Sequence, residues 1–445
     1  MPTIIEIIKG IFTMEPNFLK WYVTQGRLIL DFFHKIFDST FYVFLYIAVI
    51  FTLIYLIMSL VVIFSRKKET EKEFKPEEAP FVTVQIPTKN EIIALRCAKK
   101  CLDFDYPQDK YEILIGDDSD KPEISQEISK FAENYEKVSV IKRENNIGFK
   151  PGNLNSMLKH SKGEILVIFD SDFTPEKDFL KRIVTPFIYD KSISAVQARW
   201  NFNNFNQNLV TTLASTIVYV FHHVSLSFLK IFGTGSLCGS AEAIRKKDLI
   251  ELGSWKSGSL TEDIEYTLRL YKNKKKIHYL SSLQCYNDVP YIASDLYRQQ
   301  MRWAYGVIAA YRQHIKDILF NKSLSSKNKL TSLCAGFGYL IPVLILSMFI
   351  FGALSFFTHA PAPINLPLFF SELGINMALT SGLILASVFA LYQEKKIKYV
   401  FKTLLASFSI GIITTYYVNK GIFKSIFNKP MQWYLLNKDI NYNTK

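Results

Sequence analysis

The chain has 445 residues, 49% of them hydrophobic and 21% charged, with a formal net charge of +13 at pH 7. That length holds one large domain beside a membrane portion, and the mixture is too apolar for a single soluble domain. The basic surplus comes without any RNP-like, zinc-finger or basic-zipper pattern, which argues against nucleic acid as a partner. Lysines flanking hydrophobic stretches, as membrane anchors do, account for much of it.

The N-terminus lacks a charged head, short apolar run and small-residue cleavage site, so no signal peptide is expected. Residues 1–40, with TIIEIIKGIF and RLILDFFHKIF, read as amphipathic and interfacial. Residues 41–64 run without a charge. As a helix they would extend about 36 Å, enough for a hydrocarbon core of about 30 Å. Arg66, Lys67, Lys68, Lys72 and Lys75 follow and mark the cytosolic side.

Residues 65–325 read as a cytosolic α/β domain. FVTVQIP, EIIALRCAKKCL, YEILIGDD, ISQEISKFAENY and VSVIKRE alternate strand with helix, and a further strand, EILVIFD, ends at Asp170. This alternation predicts βαβ units and a mostly parallel sheet. In such sheets ligands bind beyond the carboxyl ends of the strands, where the acidic clusters of this sequence fall. Interfacial helices are expected at about 206–232 and 292–320. The five cysteines, Cys97, Cys101, Cys238, Cys285 and Cys334, show no CxxC spacing and read as core thiols of a reducing compartment.

Residues 326–420 are expected to hold three more spans, at 333–357, 376–392 and 400–418. Residues 358–375 contain no Lys or Arg and read as an outer loop, while Lys395, Lys396 and Lys398 mark the inside. The tail, 421–445, carries Lys424, Lys429 and Lys438. Either the last apolar segment lies along the interface or the tail breaks the positive-inside rule.

Five groups of residues carry chemistry. Thr88, Asn90 and Glu91 follow the first strand, and Asp117 and Asp118 end the second; polar groups there can bind a base or ribose. Lys150 lies between Gly148 and Gly152, which permit backbone approach to phosphate. Asp170 and Asp172, two residues apart after an apolar strand, can offer oxygens to Mg²⁺ or Mn²⁺. Thr261-Glu262-Asp263 opens a helical pattern, where carboxylates cap and where Asp263 could serve as a general base. Gln299, Arg302 and Trp303 share one helix face; Arg302 suits a diphosphate and Trp303 a sugar ring.

Taken together, Asp118, Asp170-x-Asp172, Thr261-Glu262-Asp263 and Gln299-x-x-Arg302-Trp303 resemble the processive family 2 glycosyltransferases, with gaps of 52, 91 and 36 residues between successive motifs. Val196-Gln197-Ala198-Arg199-Trp200 and the stretch Tyr297–Trp303 are similar to the cellulose synthase-like branch that includes plant mannan and glucomannan synthases. Cys238-Gly239-Ser240 and Met431-Gln432-Trp433-Tyr434 look more like bacterial cellulose synthase. The resemblance implies a GT-A nucleotide-sugar-binding domain inserted between transmembrane helices of an integral membrane protein. It implies a metal-dependent, inverting hexosyltransferase with Asp263 as base and Asp170 and Asp172 on metal and donor. Thr88, Asn90, Glu91, Asp117, Asp118, Lys150, Gln299 and Arg302 would serve the donor; Cys238, Gly239, Ser240, Glu262 and Trp303 would serve the acceptor. UDP-glucose is the expected donor, ahead of GDP-mannose and UDP-N-acetylglucosamine. The acceptor is a growing β-glycan or, alternatively, a membrane lipid. The expected location is a bacterial inner membrane, with the catalytic domain cytosolic.

Overall fold

The computed structural model describes residues 16–65, 73–334, 336–360, 365–431 and 434. They form two compact units: the described residues up to Ile54 together with Leu340–Gly382, and Tyr55–Tyr339 together with the described residues from Leu383 on. The chain enters through α1, Pro16–Phe64, an unbroken helix of 49 residues and about 74 Å. From Pro16 onward, the interfacial region and the first span expected from sequence are therefore one continuous element. Residues 1–15 and the basic Arg66, Lys67, Lys68 and Lys72 lie outside the described residues.

The larger unit is built on a seven-stranded sheet of order β3-β2-β1-β4-β6-β5-β7. In chain order the elements are β1 (Val82–Thr88), α2 (Ala94–Leu102), β2 (Tyr111–Asp117), α3 (Pro122–Glu133), β3 (Val138–Lys142), α4 (Phe149–His160), β4 (Ile165–Ile168), α5 (Phe179–Tyr189) and β5 (Ile193–Phe202). There follow α6 (Leu209–Val220), β6 (Glu242–Arg245), α7 (Lys246–Glu251), α8 (Glu262–Lys272), β7 (Lys276–Asn287), α9 (Ala293–Phe320) and α10 (Ser326–Cys334). β1, β2 and β4 are buried along their whole length, as central strands of a sheet covered on both faces are, and β1 and β2 carry the buried polar Thr83, Gln85 and Glu112 among their apolar residues. All strand pairs are parallel except those of β6, which runs against β4 and β5. One reversed strand has a local consequence. The beginning of β6, at Glu242, lies at the same sheet edge as the carboxyl ends of the others, with Glu242 paired to Ile168 and Gln197.

Under this sheet Leu114, Leu154, Leu166, Tyr266 and Leu268 form one apolar core. α6 continues through a π-turn at Phe221–Leu226 into Ser227–Ile231. By length and composition Leu209–Ile231 could cross a membrane, yet 78% of its apolar stretch is buried within the protein.

The remaining helices are α11 (Leu340–Thr358), α12 (Leu366–Leu379), α13 (Gly382–Gln393), α14 (Val400–Phe408) and α15 (Ile410–Ile426). α1 and α11 are each long and apolar enough to span a bilayer, and two bent helix pairs at 366–393 and 397–426 would add one span each. Where the missing lysines at 358–375 pointed to a loop, the structure has α12. Asn365 accepts the Leu368 N–H at 3.2 Å to cap it, and Pro367 sits in its first turn. Charge asymmetry reports the side of a membrane and says nothing of helix or loop. In the first unit α1 meets α11 through Phe44 against Phe351 at 5.7 Å and a polar seam, where Ser355 donates to Asp38 at 3.1 Å and His34 Nδ1 donates to the Ser355 carbonyl at 3.0 Å.

Candidate active site

The carboxyl edge of the sheet gathers the acidic motifs around one lysine. α4 begins at Gly148, whose φ of +83° is left-handed, and a Cβ there would meet Ser257 Oγ at 1.9 Å. Glycine thus lets the helix start close against the 257–258 loop, and Lys150 follows in its first turn. Lys150 Nζ lies 2.7 Å from Asp170 Oδ1 and 3.0 Å from Glu262 Oε1, and it donates to the Gly239 carbonyl at 2.5 Å. Burial would lower the affinity of this ammonium for its proton. The carboxylates of Asp170 and Glu262 outweigh that and hold it well above the ordinary lysine range.

The carboxylates are in excess. Asp263 opens α8, where helix N–H groups favour its anion, yet burial and the neighbouring Glu262 push its pKa up to about 7. Burial and Asp263 push Glu242 up to about 8. Asp170, Glu242, Glu262 and Asp263 thus face two half-buried bases, Lys150 and Arg302, and the site is short of positive charge. Arg302 donates to the Leu260 carbonyl at 3.1 Å; burial lowers its pKa against the opposing pull of Glu262, Asp170 and Asp263.

α9 brings Gln299, Arg302 and Trp303 to this centre, all three half-buried. It approaches closely because residue 306 is glycine, where a Cβ would stand 2.5 Å from Thr261 Cγ2. On its other side Gly421 of α15 admits the Met301 carbonyl, and Tyr297 stacks on Tyr417 at 5.0 Å. Met431 packs with Met301 and Leu260, and Arg298 lies 5.4 Å from the Tyr434 ring. Gln432 and Trp433 lie outside the described residues.

The Cys238–Ala241 turn closes the site. Gly239, with φ +84°, would carry a Cβ 3.5 Å from both the Asp263 carboxyl and Lys150 Nζ. Ser240 is wholly buried, and its hydroxyl accepts the Asp170 N–H at 2.8 Å. The side chain expected from family resemblance to meet an acceptor therefore braces the acidic loop. Gln197 and Trp200 hold the same turn, each donating to the Ser240 carbonyl at 3.0 Å.

The residues expected around a nucleotide form a neighbouring cluster. Both Asp118 oxygens meet Arg143, which donates from Nε at 2.8 Å. Asp117 accepts from Ser119 N–H at 3.0 Å and from the Ser125 hydroxyl. Asn90, at φ +56°, ties the β1 loop to the β2 loop through the Asp120 and Lys121 N–H groups, both at 3.1 Å. Thr88 donates to the Glu91 carbonyl at 3.2 Å, and Glu91 accepts from the Ser171 hydroxyl. These side chains largely bind one another and their own loops. Sequence reasoning passed over Arg143 and Glu242. The signal for Glu242 was an acid between the small apolar residues Ala241 and Ala243 at the start of a short strand.

The donor set suits a hard divalent cation. Asp170 and Asp172 supply carboxylate oxygens, the acid excess calls for positive charge, and magnesium sites commonly use one or two carboxylates with substrate phosphates completing the shell. No group of three or more metal-ligating side chains occurs among the described residues.

The mixed, mostly parallel sheet with an acidic edge is a GT-A-like fold. It is shared with a mannosyltransferase from Pyrobaculum calidifontis, whose structure was solved with GDP-Man and Mn²⁺: TM-score 0.58 and 18% identity, covering 90% of this chain and 100% of that one. Residues 83–253 match the Glycosyl transferase family 2 model. The chain is 32% identical over 291 residues to glucomannan 4-beta-mannosyltransferase 2 of Arabidopsis thaliana, covering 60% of this chain and 54% of that protein. It is 29% identical over 270 residues to a beta-monoglucosyldiacylglycerol synthase of Nostoc sp., covering 60% and 57%. The chain spans about half the length of these curated relatives. It carries a family 2 glycosyltransferase domain and is homologous to the cellulose synthase-like glucomannan synthases.

Proposed function

We propose that this chain is a membrane-embedded, inverting hexosyltransferase that moves a sugar from a nucleotide donor to the end of a β-glycan. The observation that carries the reading is the convergence of Asp170, Glu262 and Asp263 on two cations, Lys150 and Arg302, at the carboxyl edge of the sheet. Asp263 takes the acceptor hydroxyl proton as that oxygen attacks the anomeric carbon. The bond to the nucleotide diphosphate breaks on the opposite face, so one carboxylate base is enough for inversion. Lys150 and Arg302 hold negative charge near the departing diphosphate. Asp170 and Asp172 would hold Mg²⁺ or Mn²⁺, which when bound supplies Lewis-acid stabilisation of the leaving diphosphate. Trp303 and the Cys238–Gly239 turn position the acceptor sugar.

UDP-glucose, the donor expected from sequence, and GDP-mannose, in keeping with the named mannosyltransferase relatives, are the two to test first; UDP-N-acetylglucosamine comes after. The apolar helices support a location in a membrane, and the reading puts the catalytic domain on the cytosolic face of a bacterial inner membrane. A second reading, transfer of one or a few sugars to a lipid, draws on the diacylglycerol-modifying relative. The test is nucleotide release by the detergent-purified full chain with each donor, with Mg²⁺, Mn²⁺ or EDTA, followed by sizing of labelled product. Long water-insoluble glycan supports the first reading, and short lipid-extractable product supports the second. Consumption of none of these donors overturns both.

A further inference from the structure

Glu242 lies in the site and no motif accounts for it. It is the first residue of the reversed strand β6 and is 1% exposed. Its side chain folds back beneath the preceding turn, where Oε2 accepts the Gly239 N–H at 2.9 Å and the Cys238 N–H at 3.3 Å. The Cys238 N–H is shared with Gln197 Oε1 at 2.8 Å. The Gly239 backbone is thus gripped on both sides of its Cα, its N–H by Glu242 and its carbonyl by Lys150. Asp263 lies against the Gly239 Cα, with room for no more than a methyl group between them. Glu242 Oε1 is fully buried and makes no hydrogen bond among the described residues. A buried carboxyl with one idle oxygen is a costly way merely to fill a core.

We propose that Glu242 is a positioning residue of the transfer site: it clamps the Cys238–Gly239 turn against Asp263 and Lys150, and so sets the wall against which the acceptor is held. This rests on the reading of the site as one of glycosyl transfer. Glu242 acts through the turn. The clamp needs an acceptor oxygen and not a charge, and burial beside Asp263 favours the neutral carboxyl. A glutamine presents the same oxygen.

The test compares full-length Glu242→Gln and Glu242→Ala in detergent. Donor turnover is measured with UDP-glucose or GDP-mannose, whichever the unaltered protein consumes, and short β-linked gluco- and manno-oligosaccharides serve as acceptors. E242A should raise the acceptor KM about tenfold, the loss of one good hydrogen bond, with the donor KM within about twofold of the unaltered protein's. E242Q should retain most of the transfer rate. Hydrogen exchange gives a second readout that needs no turnover: the amides of Cys238 and Gly239 should exchange about tenfold faster in E242A and at the original rate in E242Q. Equal losses for donor and acceptor, an E242Q defect as deep as that of E242A, or unchanged exchange in E242A would each overturn the clamp. If the unaltered protein consumes no donor, the glycosyl-transfer reading fails, and exchange alone decides whether Glu242 holds the turn.

Discussion

At the scale of single residues, the acid excess sets the behaviour of the base. A carboxylate whose folded-state pKa is about 7 is half protonated near neutrality, so kcat/KM should rise with pH through about 7 and flatten above it. A pH–rate profile whose acid limb lies near the ordinary carboxylate value of about 4 would show that Asp263 is not the titrating base. Asp263→Asn should lower kcat by on the order of 10²- to 10⁴-fold, the usual contribution of a general base. The same raised pKa has a stability consequence. Folded-state stability from Asp263 is fully present below its ordinary pKa and is lost as pH rises through about 7. Asp263→Asn should therefore melt at a higher temperature than the original protein at about pH 8, with the difference closing towards pH 4. Lys150 also has a raised pKa, but there the favoured, protonated form is the charged one. Replacing Lys150 with Met strands Asp170 and Glu262 without their cation, a loss of about 3–5 kcal/mol where such pairs are broken, and thermal melting of the variant should show it.

At the scale of elements, the site depends on how closely α9 approaches the start of α8. Gly306 faces Thr261, whose hydroxyl makes no hydrogen bond among the described residues. Gly306→Ala should force the two helices apart, with an overpacking penalty of about 1–3 kcal/mol and a fall in kcat as Arg302 moves away from Glu262 and Asp263. Thr261→Ala removes the two atoms the new methyl would strike hardest, Cγ2 at 2.5 Å and Oγ1 at 2.6 Å. The double variant should recover stability and rate, and a double-mutant cycle measures the coupling. Additive losses would mean that Gly306 serves something other than this approach. Buried polar contacts also tie the membrane-side helices of the larger unit to the sheet. Glu394, after α13, meets Arg199 of β5, accepts from His223 Nε2 at 2.6 Å and accepts from Asn201 at 3.2 Å.

At the scale of the whole molecule, α1, α11 and the bent helix pairs present long apolar surfaces, with Phe349, Phe356, Phe401 and Ile412 exposed. In water such surface would aggregate; in a bilayer it is solvated. The chain should stay with the membrane pellet through an alkaline carbonate wash and leave it only with detergent. In sealed spheroplasts the larger unit should resist external protease, and it should be digested once the membrane is opened. Digestion in sealed spheroplasts would place the catalytic unit on the other face.

Much of the fold was legible because strand and helix periods survive in the local sequence. The runs ending at Thr88, Asp117 and Ile168 became parallel strands with acidic groups at their ends. The membrane side was legible in hydrophobicity alone. Its segmentation was not: α1 begins at Pro16 and α12 lies where a loop was expected, since apolar length and lysine counts do not specify where helices join. By itself the sequence determined the alternating α/β unit, the apolar helices and the spaced acidic motifs, all properties of neighbours along the chain. Only the tertiary structure decided that Lys150 is the cation those acids share, that Ser240 braces Asp170, and that Glu242 reaches the site. Each of these follows from the reversal of β6 and from close glycine-mediated approaches. They join residues far apart in sequence, and their pairing is fixed by packing alone.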